Sequence, residues 1–239
     1  MGSATTAPFC LTISVVNPAE IHYFSAPNNQ PRRLPVKEVQ DYYFKKAQKE
    51  GYPARSVYKL EEANLKYGFL KKGCKVLDIG SYPGSWSLYA AKTIGPQGLV
   101  VGVDLQSGKR RADDGRARIE FIRGDIMLDE TVAAIRGHAA EFQVVLSDMA
   151  PQTTGNKWSD QQKSLDLCRR AFALACLFLA KDGVFYCKVF DGEDFKEYFD
   201  EVRRSFQKAK IVKPKSSRPE SRELFVLGMG YKGRLSEKD

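Results

Sequence analysis

Lys75-Val76-Leu77-Asp78-Ile79-Gly80-Ser81-Tyr82-Pro83-Gly84-Ser85-Trp86 reads as a buried strand running into a glycine turn and then into a helix. Val76, Leu77 and Ile79 form the apolar run expected of a parallel strand covered on both faces, and a helical pattern follows from Trp86 to Lys92. Gly80 and Gly84, lacking Cβ atoms, let the chain bend sharply and let a ligand lie against it, while the amides of the next helix point outward as donors. The stretch is not the Gly-x-Gly-x-x-Gly fingerprint and offers less to a pyrophosphate; the same turn also occurs in α/β proteins that bind nothing there.

Working outward, strands and helices alternate. Strands are predicted to end at Ile79 and to span Leu99 to Asp104, Ile119 to Arg123, Phe142 to Ser147 and Val184 to Val189, with others near Ile211 and from Leu224 to Leu227. Helices are predicted over Ser85 to Thr93, Leu128 to Arg136, Asp160 to Leu179 and Asp194 to Gln207. This order implies an α/β fold of the Rossmann-like kind, a mostly parallel sheet with helices on both faces and an antiparallel last strand. Upstream, Val36 to Lys49 and Arg55 to Tyr67 read as two basic helices. Residues 1–36, with one β-like run from Phe9 to Val16, are expected to form an arm to which no role is assigned. Residues 37–233 form the main domain, with the basic helices at 37–70 and the core at 73–233, and residues 234–239 a tail.

Composition narrows the class. The 239 residues, 43% hydrophobic and 28% charged, suit a soluble globular protein of one core with an appendage. No run approaches the roughly 18 apolar residues of a membrane span, and residues 1–31 hold no Lys or Arg, so a cytoplasmic monomer without membrane association is expected. Met1 to Thr6 fits a myristoylation pattern, but no basic cluster follows closely as a second anchor. Cys10, Cys74, Cys168, Cys176 and Cys187 form no Cys-x-x-Cys pair and are expected as thiols, without a structural zinc. The +9 net charge is localised. Arg32 to Lys59 holds eight basic and three acidic residues and Arg203 to Arg222 eight and one, so these flanks carry +12 and the remainder −3. Flanks that meet in space suit a partner rich in phosphates; flanks that do not are two solvated faces.

In a sheet of this kind, ligands bind outside the carboxyl ends of the strands. Asp104 closes the second strand about 20 residues past the glycine turn, where a carboxylate accepts from two ribose hydroxyls. Asp125, after the third strand, can accept from an adenine amino group or cap the helix that starts nearby. Trp86 packs against the ligand or only against the sheet.

Ala54 to Leu60, Val76 to Ser87, Ser147-Asp148-Met149-Ala150-Pro151, Lys188-Val189-Phe190 and Ser217-Arg218-Pro219-Glu220-Ser221-Arg222-Glu223 resemble, in order and spacing, the FtsJ/RrmJ family of ribose 2′-O-methyltransferases. The resemblance covers roughly Asp41 to Gly230, and the stretch Asp41 to Lys59 looks most like compact enzymes that modify large-subunit ribosomal RNA. It implies S-adenosylmethionine as cofactor, held at the turn of Gly80 and by Gly84, Trp86, Asp104, Asp125 and Asp148. It also implies a catalytic tetrad of Lys59, Asp148, Lys188 and Glu223 and an RNA partner, while the residues themselves, with only His22 and His138 and neither in a motif, give no reason to expect a metal. Ser81-Tyr82 stands where the family usually has two alanines, and the polar insert Gln106 to Arg118 replaces a shorter connection.

A ribose 2′-hydroxyl is a poor nucleophile at neutral pH, and its proton must leave as the carbon–oxygen bond forms. Lysine can take that proton only when neutral, and burial beside a second ammonium favours the neutral form. Lys188 next to Lys59 is expected to meet that need, with Asp148 and Glu223 limiting the shift and orienting the amines. The bland alternative is two ion pairs that fasten the second helix and last strand to the sheet. With His22 and His138 outside every motif, a histidine base is not expected. The loop Gln152 to Trp158 is either a cover for the target nucleotide, with Trp158 stacking, or an ordinary exposed loop. Other RNA substrates, a tRNA anticodon loop or an mRNA cap, suit the same tetrad; the rival from another class is a non-catalytic RNA-binding factor of ribosome assembly.

Overall fold

A computed structural model of the chain describes residues 36–107, 115–152, 154–218 and 220–233. The arm with its run Phe9 to Val16, the myristoylation pattern, Cys10, His22, most of the insert after Gln106 and the tail lie outside the described residues. Two helices come first, α1 (Val36–Lys49) and α2 (Val57–Tyr67). The alternation follows as β1 (Lys75–Ile79), α3 (Ser85–Ile94), β2 (Leu99–Asp104), β3 (Arg118–Arg123), α4 (Asp129–His138), β4 (Phe142–Ser147) and α5 (Lys157–Phe178). It ends with β5 (Leu179–Phe190), α6 (Phe195–Ser205), β6 (Phe206–Val212) and β7 (Glu223–Tyr231).

The strands form one sheet in the order β3-β2-β1-β4-β5-β7-β6, in which only β7 runs against its neighbours. Alternation along β1 explains the layers. Leu77 and Ile79 face a core shared with Ile135 of α4, Leu165 and Phe178 of α5 and Tyr198 of α6. Val76 faces the other core, shared with Leu60 of α2 and Trp86 and Ile94 of α3. Strand order reverses between β1 and β4, so a crevice opens past their carboxyl ends. Gly80 stands at one lip with φ 76°, and a Cβ there would lie 2.5 Å from Met149 Cγ at the other, so glycine is required by both conformation and space.

Several boundaries moved for local reasons. Turn-like bonds at Val57, Tyr58 and Lys59 delay α2 to Val57. Asn156 Oδ1 accepts from Trp158 N and Ser159 N, both at 3.1 Å, so α5 starts at Lys157 rather than Asp160. The α2 helix is not basic as expected, because Glu61 and Glu62 balance Lys59 and Lys66. The two basic flanks do meet, Arg55 and Lys59 of the first lining one cavity with Arg218 and Arg222 of the second; just past the first flank, the Glu62 carboxylate accepts from Lys215 N at 2.6 Å and Ser216 N at 2.9 Å, tying α2 to the β6–β7 connection. Cys74, Cys168, Cys176 and Cys187 are free thiols. No helix among the described residues is long and apolar enough to cross a membrane.

Candidate active site

Past the ends of β1, β2 and β4 lies a cavity of about 380 Å³ that Gly80, Asp104, Asp125 and Asp148 all line. Backbone amides orient two of these carboxylates, Asp104 and Asp125. Asp104 accepts from Tyr82 N at 3.1 Å and from Gln106 N at 2.9 Å, so Tyr82, at one of the two positions that depart from the family pattern, helps fix the acidic end of β2. Asp125 Oδ1 accepts from Met127 N at 2.9 Å, a local turn; the residue at the N-cap of α4 is Leu128, so the helix-cap reading of Asp125 does not hold. Between the carboxylates the lining is apolar, with Leu105, Ile126, Met127 and Met149.

The Trp86 ring takes the second of its two expected placements, against the sheet. Its ring is buried against the opposite sheet face, stacked on Tyr186 with centroids 5.6 Å apart, and its Nε1 donates to Ser56 O at 2.8 Å. As the second residue of α3 it points its side chain into the layer beneath α2, and so locks the segment that carries Lys59 rather than lining the cavity. Gly84, with φ 103°, caps α3 and lines the cavity no more than Trp86 does.

The four tetrad residues do come together, and sheet register explains how. Ser147 is level with Cys187 and Phe190 with Glu223, so Asp148, Lys188 and Glu223 gather at one end of the β4, β5 and β7 strands. Cys187 and Val189 face the α5 side, which turns Lys188 to the α2 side, where Lys59 is presented. Lys188 Nζ is 2.9 Å from Asp148 Oδ1 and donates to Asp148 O at 2.7 Å. Lys59 Nζ is 2.7 Å from Glu223 Oε2. Both lysines are buried.

The electrostatics correct one expectation. Burial, the largest single influence on Lys188, lowers its pKa, but the Asp148 carboxylate and its hydrogen bond, with Glu223 and Cys187, outweigh it, and the net shift is upward. The Lys188 amine is therefore held as an ammonium in the free protein, not neutralised by Lys59, because the nearest charge is a carboxylate. Burial works to raise Glu223, yet Lys59 first, then Lys188 and Ser221, hold its carboxyl below the ordinary value.

On the far side of the tetrad a second cavity, about 430 Å³, is lined by Lys59 and Glu223 together with Arg55, Arg218 and Arg222. Sequence reasoning did not single out the arginines as functional, although all three stand within or beside the family motifs. Nor did it single out Asp160, which anchors the nearby loop: its carboxylate accepts from Thr154 N at 2.7 Å, Thr154 Oγ1 at 2.9 Å and Gly155 N at 3.2 Å. These donors, the Thr154 amide foremost, hold the Asp160 carboxyl below its ordinary value. Trp158 is 65% exposed and outside the cavity lining. Among the described residues no cluster of His, Cys, Asp or Glu is arranged to hold a metal ion.

The FtsJ-like methyltransferase family model matches residues 52–231. The ribosomal RNA large subunit methyltransferase E of Desulfotalea psychrophila is 49% identical over 199 residues, which cover 82% of this chain and 98% of that protein. The protein of the same name from Bdellovibrio bacteriovorus is 43% identical over 80% of this chain and 97% of its own. Among solved structures, a protein assigned as a ribosomal RNA methyltransferase from Plasmodium falciparum aligns with TM-score 0.66 at 26% identity, over 77% of this chain and all of that one. Fibrillarin from Aeropyrum pernix, TM-score 0.51 at 17% identity over 73% of this chain and 76% of its own, shares the fold. The chain belongs to the FtsJ-like methyltransferase family.

Proposed function

We propose that this protein is an S-adenosylmethionine-dependent RNA methyltransferase that methylates a ribose 2′-hydroxyl of large-subunit ribosomal RNA, in the cytoplasm where that RNA is matured. What supports this reading is the pair of half-buried ion pairs, Lys188–Asp148 and Lys59–Glu223, standing between one cavity rich in carboxylates and another rich in arginines. The substrate assignment rests on the similarity to the large-subunit methyltransferases.

The first cavity suits the cofactor chemically. Asp104 is placed to accept from ribose hydroxyls, Asp125 keeps Oδ2 for an adenine amino group, and Leu105, Ile126 and Met127 offer apolar faces to a base. Asp148 brings negative charge to the end nearest the tetrad, as a cationic group requires. Bound there, S-adenosylmethionine supplies an electrophilic methyl on a sulfonium.

The residues of the chain do the rest. RNA enters from the arginine-lined side and sets its 2′-hydroxyl at the two lysines. Lys59, oriented by Glu223, donates to the hydroxyl oxygen and fixes its direction. Lys188 accepts the hydroxyl proton at Nζ as the oxygen–carbon bond forms, which requires that the amine first become neutral. A cationic neighbour that engages Asp148 removes the chief influence raising Lys188 and leaves burial, which lowers it.

Transfer of labelled methyl to total RNA from cells lacking the protein, followed by nucleoside analysis, tests the proposal. Label in one 2′-O-methylnucleoside of large-subunit RNA is expected. Label confined to a base overturns the ribose chemistry, and no transfer leaves the RNA-binding alternative.

A further inference from the structure

Arg55 and Arg218 come from the two separate basic flanks of the sequence and end in the same cavity, beside Lys59 and Glu223. Arg55 lies in the turn that leads into α2, four residues before Lys59; Arg218 lies in the β6–β7 connection, five before Glu223. Both positions are built into the fold. Ala54 N donates to Ser85 Oγ at 2.7 Å and Tyr58 N to Arg55 O at 3.3 Å, while Ser221 N donates to Arg218 O at 3.0 Å. Glu62 holds the connection to α2 through Lys215 N and Ser216 N.

Two like charges are thus brought together without a counter-ion in contact. Burial and then the proximity of Arg218 depress the Arg55 pKa, and the carboxylates Glu223 and Glu220 only partly offset this. Among the described residues, neither guanidinium has a hydrogen-bond or ion-pair partner. Arg222, in the same cavity, differs, because it already donates to Asp191 O. Paired, unengaged guanidiniums in a partly shielded cavity call for an anion, and their planar forks match the oxygens of a phosphate. A ribose whose 2′-hydroxyl reaches the tetrad carries a phosphate on the adjacent carbon, so an RNA strand necessarily brings such an anion to this place.

Resting on the functional reading above, we propose that Arg55 and Arg218 form a clamp for the phosphodiester adjoining the reacting ribose. The clamp positions the strand so that the 2′-hydroxyl falls at Lys188 and Lys59, and Phe190, on the same cavity wall, gives the nucleotide an apolar face. Both arginines are positioning residues and take no part in proton transfer.

The test uses the full-length protein and large-subunit RNA rebuilt by splinted ligation around the mapped target nucleotide, with an ordinary phosphodiester or a neutral methylphosphonate on its 3′ side. On the ordinary RNA, Arg55→Gln and Arg218→Gln should each lower kcat/KM by about 10- to 100-fold, the loss expected of a hydrogen bond to a charged group, mainly through KM. Arg55→Lys should recover part of it. On methylphosphonate RNA the wild type should fall by a similar factor, and the Gln variants should lose little more, because the charge they served is gone. Variant and methylphosphonate losses that multiply in full, or an unchanged KM, overturn the clamp. Cofactor affinity by calorimetry checks each fold; if Arg55→Gln fails that check, the exposed Arg218 carries the test alone. A wild type that does not methylate ribose defeats the functional reading instead, so the two failures are distinguishable.

Discussion

Lys188 Nζ lies 2.9 Å from Asp148 Oδ1 and donates to the main-chain oxygen of the same residue at 2.7 Å, so one residue both pairs with and aims the Lys188 amine. In the free protein that contact, with Glu223 and Cys187, raises the Lys188 pKa against the effect of burial and so favours the ammonium. On the proposed mechanism Lys188 must have lost its proton when the ribose hydroxyl attacks the methyl group, and this orders the events: the site must gain positive charge near Asp148 before Lys188 can act as base.

A pH profile reads that order. The rate should rise with pH as Lys188 deprotonates, and the rise should lie at higher pH in kcat/KM for S-adenosylmethionine, which reports the free protein, than in kcat. Asp148→Asn should move the free-protein limb to lower pH by removing the main raising charge. Lys188→Ala should reduce kcat by at least about 10²-fold with cofactor affinity near wild type. A variant that keeps more than a tenth of the activity assigns the base elsewhere, with Lys59 next in line.

Asp104 should matter to the cofactor and not to RNA. Asp104→Ala should weaken S-adenosylmethionine binding by about 1.5–3 kcal/mol, the range for hydrogen bonds to a charged group. Asp104→Asn should cost less, because an amide oxygen can still accept from Tyr82 N or Gln106 N and keep the loop in place. Calorimetry showing wild-type cofactor affinity in Asp104→Ala removes Asp104 from the ribose.

Asp78 makes stability depend on pH. It is buried in β1 and accepts from Ser87 Oγ at 2.6 Å, while Oδ1 has no partner among the described residues. Burial, opposed by the Ser87 hydrogen bond and reinforced by Asp148 and Asp104, raises its pKa from 3.8 to about 7. Between those values the folded protein holds a proton that the unfolded chain has lost. The contribution is therefore fully present below pH 3.8 and is lost as pH rises through about 7, on the order of 4 kcal/mol in all. Asp78→Asn should remove that fall in urea-unfolding free energy across pH 4 to 7. An unchanged slope would show that Asp78 is not the titrating group.

The strand ends were legible in sequence because a parallel strand buried on both faces announces itself, and the residue after it is then fixed at the crevice. That is why Asp104, Asp125 and Asp148 fall on one cavity as expected. Trp86 was not legible: a helix that follows a glycine turn has one face to the sheet and one to the ligand, and an aromatic at its second position suits either. Nor was the charge state of Lys188, since sequence gives four charged groups but not which of them is 2.9 Å away. Arg55 and Arg218 were counted only as positive charge, because no local pattern says which basic residues of a flank are left without partners.

The lysines of the first basic flank are not equally free to meet RNA. On α1, Lys46 is turned inward, 3.6 Å from Glu61 and 4.2 Å from the Tyr58 ring centroid, so its charge is already engaged. Lys45 and Lys49 are exposed. RNA lying across α1 and the Lys208 to Arg222 segment should bind with a steep salt dependence, since each neutralised phosphate releases condensed counterions. Replacing Lys45 and Lys49 by Glu should raise the dissociation constant for RNA and flatten the slope of log affinity against log salt by roughly 0.7 for each single-strand phosphate that is no longer neutralised. Replacing Lys46 alone should do less to the slope and more to folding stability, because it breaks the ion pair and ring packing between α1 and α2. Cofactor affinity should be unchanged by the Lys45 and Lys49 changes, which lie outside both cavities. Filter binding over a series of salt concentrations decides the matter: an unchanged slope in the double variant makes α1 a solvated face and leaves the docking of RNA to the β6–β7 side.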